Sequence, residues 1–484
     1  MPDFEFVHLS RPGDEKKNST RIRRHVMKDI GKARRKPKKR AEVNKARPGS
    51  EIAARPAAEI QAQCTQALLP SPLEGCMVSD YVFPIEMDAE RRGLTQYLFA
   101  VARSSGLAFG ARWLSIGQTD AAAWYITLAN AVLYRKLNQG FRFPKPEFKS
   151  DPEAMKWYTL SLRSVSKRLA DPKESRREGL VTAIAGFICH DTSTANFTRQ
   201  AIHMQGMKSI VEDLGGIDEL SDPMLRLMIS WHDLSGAAYR NGAPYFGVPK
   251  GSITSTDTNC HSVYLDTLLD SWDERCPCLS DIRSAVKVTA AVANFVNQHC
   301  KTSSIFWSDD ITAARLLAPA LHEVLSLEGR ALPNDPEHPD YSGTAVREAF
   351  RRSLLIFLAC LKAKFGAITF ELSRHLQDFR QISQIPNVDW TIVPELGMWG
   401  HIIAALEEHS DQRSWHILAI SSIMESAGLT SSDQVLDTVR GIIWVEDLFK
   451  DKVEALCHEI DDFMTLRTTH QLSTLSITSL DNAD

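Results

Sequence analysis

From about residue 81 onward, apolar residues recur at intervals of three and four positions, which is the spacing of one buried face of an α-helix. Clusters of Gly, Pro, Asp and Asn interrupt this pattern and mark turns. The pattern predicts helices over residues 88–103, 118–138, 152–170, 175–190, 195–214, 223–239, 261–273, 280–300, 309–327, 342–365, 367–379, 394–408, 412–427, 431–449 and 450–468. No alternating run predicts a strand, and no fixed repeat length indicates a solenoid.

Two of these segments carry the helical pattern over their whole length. In 342–365 the apolar positions lie three or four residues apart, at Val346, Phe350, Leu354, Phe357, Leu361 and Phe365. In 394–408 they are Leu396, Trp399, Ile402, Ile403 and Leu406. Packed helices of this length can bury a sizeable core, so we predict an all-α fold with one large helical domain over residues 80–468.

The residues that flank this domain differ from it in composition. Residues 1–40 form a basic arm, which includes a short amphipathic helix predicted over 20–36. Residues 41–79 are rich in Ala, Pro and Ser and are expected to form a linker without fixed structure. Residues 469–484 form a polar tail. The predicted organisation is a large irregular helical domain preceded by a basic, largely disordered arm and linker.

The net charge of −4 conceals two oppositely charged parts of the chain. Residues 1–50 carry 16 Lys and Arg against 6 Asp and Glu, whereas the remaining residues carry 40 against 54. A basic arm ahead of an acidic domain favours a polyanion or a nuclear import receptor as the partner. The alternative is a solvated tail without a specific partner.

The positive charge of the arm is concentrated in residues 21–40. Its basic residues there are Arg21, Arg23, Arg24, Lys28, Lys32, Arg34, Arg35, Lys36, Lys38, Lys39 and Arg40. Their arrangement resembles a bipartite nuclear localisation signal and predicts a nuclear protein that binds an import receptor. The same cations can neutralise DNA phosphates, which predicts weak and non-specific binding, because no frame for reading base edges is visible.

The sequence lacks the motifs by which most hydrolases, kinases and metalloproteases are identified. It contains no Gly-x-Ser-x-Gly, no phosphate-binding Gly-rich loop and no His-Glu-x-x-His. The longest wholly apolar run, Leu354 to Leu361, is far shorter than the ~20 residues of a membrane-spanning helix. The first residues do not read as a secretory signal. We therefore predict a non-enzymatic intracellular protein without a cofactor and without a membrane partner.

Four residues can be assembled on paper into a zinc site, namely Cys260, His261, Cys276 and Cys278. Structural zinc sites usually place two to four residues between paired cysteines. The single residue between Cys276 and Cys278 and the adjacency of Cys260 and His261 depart from this rule. We predict that no metal is bound and that these are small apolar residues near a loop.

His203 and Asp233 stand out because each lies within an apolar helical segment. We interpret them as a buried polar pair satisfied by hydrogen bonds, with Arg240 as a further partner. The alternative is the pocket of a small-molecule sensor or an enzyme at the same residues. The neighbours His190 and Asp191 are interpreted as a helix end, because adjacent residues on a helix do not face each other.

Several segments of the chain are similar to one family. The core of the arm, Arg23-Arg24-His25-Val26-Met27-Lys28, resembles the N-terminal segment of filamentous-fungal proteins that are often labelled tachykinin family proteins. The similar segments of the domain are Ala-Ile-His-Met-Gln-Gly-Met (201–207), Leu-Gly-Gly (214–216), Trp-His-Asp-Leu (231–234), Pro-Tyr-Phe (244–246), Pro-Glu-Leu-Gly-Met-Trp (394–399) and Arg-Ser-Trp (413–415). Together they resemble the fungal-specific transcription factor domain.

This resemblance implies an all-α regulatory domain of the kind that follows the binuclear zinc cluster in fungal transcription factors. That cluster needs six closely spaced cysteines, and none precedes Cys64 in this sequence. The resemblance supplies no catalytic residues. We therefore expect a nuclear regulator without a zinc-cluster module. The alternatives are a helical scaffold that pairs with a zinc-cluster factor through exposed apolar helix faces, and the sensor or enzyme at His203 and Asp233.

Overall fold

The computed structural model describes residues 82–104, 108–138, 151–171, 173–174, 177–253, 262–329, 331–386 and 388–481, and within them it contains helices and no strand. The α-helices are α1 (Ala89–Ser104), α2 (Ala108–Gly117), α3 (Ala121–Asn138), α4 (Pro152–Leu169), α5 (Glu178–Ser193), α6 (Phe197–Asp213), α7 (Pro223–Arg240), α8 (Val263–Arg275), α9 (Arg283–His299), α10 (Asp310–Ser326), α11 (Tyr341–Lys364), α12 (Leu372–Ser383), α13 (Pro394–Glu407), α14 (Ser410–Ala427), α15 (Ser432–Ile442) and α16 (Glu446–Asp481). Short 3₁₀ helices cover Ile217–Glu219, Pro277–Ile282, Phe306–Ser308 and Trp390–Ile392. The predicted all-α fold is confirmed, whereas the helix predicted over 20–36 lies outside the described residues.

The observed helices differ from the predicted ones mainly at two places. Helix α2 has no predicted counterpart, and the segment predicted over 431–449 is divided between α15 and α16. The division was hidden because Ile443, Trp444 and Val445 are all buried, so the apolar pattern continues while the backbone at Ile443 is extended. Helix α16 then runs through Asp481, well past the predicted end at residue 468.

The apolar side chains of the described residues form two clusters. The first is built mainly from α1 to α7 and includes the buried Trp124 and Trp157. The second is built from α7 to α16 and includes Trp399. Helix α7 contributes to both, with Leu225 in the first and Leu234 in the second. The two cores therefore share one helix.

Both ends of α7 are fixed by side chains. At its start the Asp222 carboxylate accepts hydrogen bonds from the backbone N–H groups of Met224 and Leu225, and Pro223 occupies the first turn, where its missing N–H costs nothing. At its end Asn241 adopts the left-handed conformation with φ of 53°. The Asn241 side-chain oxygen accepts a hydrogen bond of 2.7 Å from Arg351 of α11. The end of α7 is therefore tied to α11.

Helix α11 is buried on all sides, since every residue from 344 to 362 is buried. A helix with one apolar stripe normally exposes its polar face to water. Here that face carries Arg347, Glu348, Arg351 and Arg352, and all four side chains lie inside the protein. Buried charges are tolerated when they are paired and hydrogen-bonded, so the surroundings of α11 must supply partners.

The partners of these four charges come from α11 itself and from its neighbours. Glu348 accepts hydrogen bonds from Arg351 at 2.6 Å and from Arg352 at 3.0 Å. Arg347 pairs with Asp281 at 2.8 Å, and Arg352 pairs with Asp378 at 2.9 Å. Burial alone would raise the pKa of Glu348, but the two arginines outweigh it and hold that pKa below its ordinary value.

A second buried ion pair lies near the end of the same helix. Lys362 donates to Glu371 at 2.5 Å and to the Ser235 hydroxyl of α7 at 3.4 Å. Its ammonium group also lies 5.4 Å from the centre of the Trp231 ring, a distance typical of a cation–π contact. Helices α7 and α11 are therefore joined by polar contacts at two separate points.

We expect Glu348→Gln to lower the free energy of unfolding by about 3 kcal/mol, because Arg351 and Arg352 would then lack their shared buried anion. The matched control is Glu90→Gln, which breaks an exposed ion pair with Lys156 and should cost less than 1 kcal/mol. Urea unfolding followed by circular dichroism measures both. Equal effects of the two substitutions would contradict the assigned role of Glu348.

Candidate functional site

A cavity of about 690 Å³ opens between the start of α8, one side of α9 and the segment that joins α15 to α16. This volume lies within the range of small-molecule sites in proteins. The wall supplied by α9 includes Ala290, Ala291 and Ala293, whose small side chains leave the space open. On the opposite side, Tyr264 packs so closely on Gly441 that a β-carbon there would lie 2.6 Å from its ring.

Four charged residues around the cavity form two ion pairs. Lys287 and Asp266 form an ion pair of 2.6 Å, and Arg440 and Glu446 form one of 3.3 Å. Asn297 uses both ends of its amide, donating to the Trp444 carbonyl and accepting from the backbone N–H of Glu446. These polar groups hold the walls of the cavity together. None of the predicted residues His203, Asp233 and Arg240 lines it.

His203, on α6, is paired with a residue that the sequence did not indicate as its partner. Its Nδ1 lies 2.8 Å from Oδ2 of Asp191, in the last turn of α5. The other carboxylate oxygen of Asp191 accepts a hydrogen bond of 2.5 Å from Nε of Arg199. Asp191 is completely buried, whereas 19% of the His203 side chain is exposed. The structure therefore brings His203 to Asp191 and not to Asp233.

The neighbours His190 and Asp191 point to different helices, as adjacent positions on a helix must. While Asp191 faces α6, the Nδ1 of His190 lies 3.0 Å from the side-chain oxygen of Asn130 on α3. The His190 ring also contacts the Tyr158 ring of α4 at 5.1 Å between centroids. The end of α5 thereby connects three other helices through two adjacent polar residues.

Asp233, on α7, holds the chain that follows this helix. Its Oδ2 accepts hydrogen bonds from the backbone N–H groups of Tyr245 at 2.7 Å and Phe246 at 2.8 Å. Its Oδ1 is buried and has no hydrogen-bond partner within the described residues. Burial raises the pKa of Asp233 to about 6, although the two amides act in the opposite direction.

Arg240 extends the connection between α6 and α7. It donates to the side-chain oxygen of Gln200 at 2.8 Å, and Gln200 in turn donates to the His232 carbonyl at 3.0 Å. The guanidinium of Arg240 also lies 5.5 Å from the centre of the Tyr245 ring. A β-carbon on Gly236 would lie only 2.3 Å from the Gln200 amide, so glycine makes room for this bridge.

The three predicted residues therefore belong to two separate groups. His203 joins Asp191 and Arg199, while Asp233 and Arg240 both contact the segment at Tyr245. A histidine oriented by a carboxylate has the arrangement of a general base. However, no serine or cysteine among the described residues is hydrogen-bonded to His203, so the nucleophile that such a base would activate is not placed there.

Sequence reasoning missed a third polar group, which lies between α12, α13 and α14. The Nδ1 atoms of His401 and His416 are 3.0 Å apart, so one ring must donate and the other accept. The Nε2 of His416 lies 3.8 Å from Glu408, which also accepts a hydrogen bond from Arg380. Both rings are completely buried, and burial, together with His416, holds the pKa of His401 well below its ordinary value.

The basic residues from Arg21 to Arg40 lie outside the described residues, as do Cys260 and His261. Across the described part of the chain, no three His, Cys, Asp or Glu side chains are placed to hold a metal ion. No helix in that part is both long enough and apolar enough to cross a membrane.

Comparison with known proteins gives one match. The family model of the fungal specific transcription factor domain matches residues 78–442, which is more than half of the chain and ends at the last residue of α15. No curated protein and no solved structure matches the chain.

We expect Asp191→Asn to lower the free energy of unfolding by about 2–3 kcal/mol, because Asp191 is buried between Arg199 and His203. Asp233→Asn should cost only about 1 kcal/mol, since Asp233 accepts from neutral backbone amides and an asparagine oxygen can still accept. Denaturant unfolding at pH 7.5 compares the two variants. The opposite order of effects would contradict the assigned pairings.

We also expect the helical domain to lose stability as the pH falls below about 6.5, the ordinary pKa of histidine. Burial, followed by nearby arginines, lowers the pKa of His190 and of His375 to about 3, and His401 is shifted in the same direction. A lowered histidine pKa contributes stability that is complete above pH 6.5 and lost toward the folded-state value. Asp233, with its raised pKa, acts in the opposite direction, but it is one group against several, since burial also lowers the pKa of His232 to about 4.

The loss should approach 1.4 kcal/mol per pH unit for each such histidine, once the pH is below 6. Unfolding free energies measured between pH 7.5 and 5 test this expectation. His375→Gln should make the pH dependence less steep, whereas the control His458→Gln, at an exposed position, should leave it unchanged. A stability that is constant over this range would exclude buried neutral histidines.

Proposed function

The chain belongs to the family defined by the fungal specific transcription factor domain, and from this we propose that it is a nuclear, non-enzymatic regulator of transcription. The match over residues 78–442 carries the proposal, because it includes nearly all of the helices described above. The basic arm lies before the matched region and supplies the import signal.

The polar groups of the domain support a non-enzymatic role. His203, Asp191, Asp233 and Arg240 each bind a neighbouring helix or the segment after α7. Catalytic groups need access to a substrate. His190, His375 and His401, whose pKa values are strongly lowered, lie completely inside the protein. A role in holding helices together accounts for all of these residues.

We do not propose that this chain recognises a DNA sequence by itself. A binuclear zinc cluster needs six closely spaced cysteines, and this sequence has only Cys64 and Cys76 before the matched region. Contact with DNA through the arm would be electrostatic and tolerant of sequence. We propose that a zinc-cluster factor acts as the partner that reads DNA bases.

One surface feature favours such pairing. Leu162 and Leu169 lie two turns apart on the same face of α4, and 40% and 47% of their surfaces are exposed. Apolar side chains repeated on one helix face are a common basis for pairing with another helix. This face of α4 is our candidate contact for a helical partner, and Leu162→Glu should weaken capture of that partner without changing nuclear import.

The test of import changes Lys36, Lys38, Lys39 and Arg40 to Ala in a fluorescent fusion of the full chain. We expect the fusion to shift from the nucleus to the cytoplasm, because the second basic cluster of the signal is lost. The charge-matched control changes Arg11, Lys16, Lys17 and Lys45 to Ala, outside residues 21–40, and should remain nuclear.

The same two variants test DNA contact. Each phosphate neutralised contributes about −0.9 to the slope of log K against log salt, so removing four cations from the cluster should make this slope less steep. Their circular dichroism spectra and unfolding midpoints should equal those of the wild type. Nuclear accumulation of the first variant would contradict the import proposal, and unchanged tight binding to one DNA sequence would reveal a base-reading surface elsewhere.

A further inference from the structure

Cys276 and Cys278 lie on either side of Pro277 at the start of a 3₁₀ helix, and both face the first turn of α11. A β-carbon added to Gly343 in that turn would lie 3.2 Å from the sulfur of Cys276 and 3.1 Å from the sulfur of Cys278. Both sulfur atoms therefore lie beside the same point and are at most 6.3 Å apart, the sum of these two distances.

The separation of the two backbone positions also suits a bond between the sulfur atoms. Residues two apart in a chain have Cα atoms no more than about 7 Å apart. Disulfides bridge Cα atoms separated by about 4.4–6.8 Å. The backbone spacing is therefore compatible with a disulfide, and neither cysteine is in one in this structure.

Glycine at position 343 is explained by the two sulfur atoms and not by the backbone. Its φ is not in the left-handed region, so any residue could adopt this helical conformation. A side chain at 343 would enter the space in front of both sulfur atoms. Glycine at this position therefore leaves the room that the two sulfur atoms occupy.

The two cysteines differ in their surroundings. Cys276 is buried with 5% of its surface exposed, and burial, followed by the nearby Cys278, raises the pKa of its thiol to about 11. Cys278 is partly exposed, and its sulfur lies 3.9 Å from the Thr344 hydroxyl. A solvent-borne oxidant therefore reaches Cys278 first, and Cys276 is positioned behind it.

We propose that Cys276 and Cys278 form a redox modification site, in which a peroxide converts the two thiols into a reversible disulfide beside the first turn of α11. This site is independent of the proposed nuclear role, because it rests on the geometry of the two sulfur atoms. It also gives the Cys-Pro-Cys sequence a purpose other than zinc binding.

The proposed reaction has two steps. The Cys278 sulfur attacks one oxygen of hydrogen peroxide, an S–O bond forms, the O–O bond breaks, and the departing hydroxide takes the thiol proton to become water. The Cys276 sulfur then attacks the Cys278 sulfur, an S–S bond forms, the S–O bond breaks, and the second hydroxide leaves as water with the Cys276 proton. Two thiols lose two electrons, and one peroxide is reduced to two waters.

The position of the site connects it to the interior of the domain. The 3₁₀ helix that begins at Pro277 also contains Asp281, the partner of the buried Arg347 on α11. Drawing the two sulfur atoms together changes the contact at Gly343, one turn before that ion pair. Oxidation thereby acts on the start of the helix around which the second core is built.

The experiment treats the full-length protein with hydrogen peroxide and then with an alkylating reagent, and identifies the modified peptides by mass spectrometry. We expect a loss of two hydrogens in the peptide that contains both cysteines, no alkylation of either, and full reversal by dithiothreitol. Cys360 is buried, with only 3% of its surface exposed, so it should remain a thiol and serves as the internal control.

Gly343→Ala tests the geometry without removing a thiol. The added methyl group would lie 3.2 Å from the Cys276 sulfur and 3.1 Å from the Cys278 sulfur and would displace them, so we expect the disulfide to form at least about tenfold more slowly. The matched control is Gly93→Ala in α1, where a β-carbon meets no atom within 4 Å and the rate should not change. Circular dichroism checks that both variants keep the helical fold.

Cys276→Ser separates the two steps, because it should leave Cys278 able to reach only the sulfenic or sulfinic acid. Wild-type protein that gains oxygen at Cys278 without forming the disulfide would overturn the proposal. An equal rate in Gly343→Ala and Gly93→Ala would overturn the claim that the sulfur atoms react across this position. Oxidation of Cys360 at the same rate would show that the selectivity comes from unfolding.

Discussion

The complete burial of α11 is the constraint on which the rest of the domain depends. Two consecutive turns of this helix, from Arg347 to Arg352, place four charged side chains in the interior, and each charge requires a partner held at a fixed position. Asp281 must lie beside Arg347, and Asp378 beside Arg352. The 3₁₀ helix before α9 and helix α12 are thereby fixed relative to α11 by ion pairs as well as by apolar packing.

The same helix accounts for the way in which the two apolar cores remain connected. Helix α7 contributes side chains to both cores, but its alignment with α11 is set by polar contacts, through Asn241 to Arg351 and through Ser235 to Lys362. Apolar packing tolerates small shifts along a helix axis, whereas a buried hydrogen bond to a charged group does not. Polar contacts therefore join α7 to α11, and apolar packing against other helices supplies most of its burial.

The sequence predicted the stripe of apolar residues on α11 but not the burial of its charged face. The periodicity of Val346, Phe350 and Leu354 identifies a helix and one buried side, because that information is local. Whether Arg347 and Glu348 on the other side meet water or another helix depends on elements far away in the chain. Asp281 lies 66 residues from Arg347, and nothing in the spacing of either residue indicates the pair.

The partner of His203 is a second feature that the local sequence does not predict. The sequence indicates His203 and Asp233 as polar groups within apolar helical segments, yet His203 binds Asp191 and Asp233 binds the chain at Tyr245. His190 and Asp191 are adjacent on a helix, and the sequence therefore predicts a helix end rather than a pair. The two side chains do point in different directions, and each therefore contacts a different helix.

Strongly shifted pKa values often mark catalytic sites. In this domain the shifts of three histidines have a structural cause. The pKa values of His190, His375 and His401 are lowered chiefly by burial, and these rings are completely enclosed. A catalytic base must combine a tuned pKa with access to a substrate. These three histidines have strongly lowered pKa values and no access to solvent, so their shifts record how tightly the helices are packed.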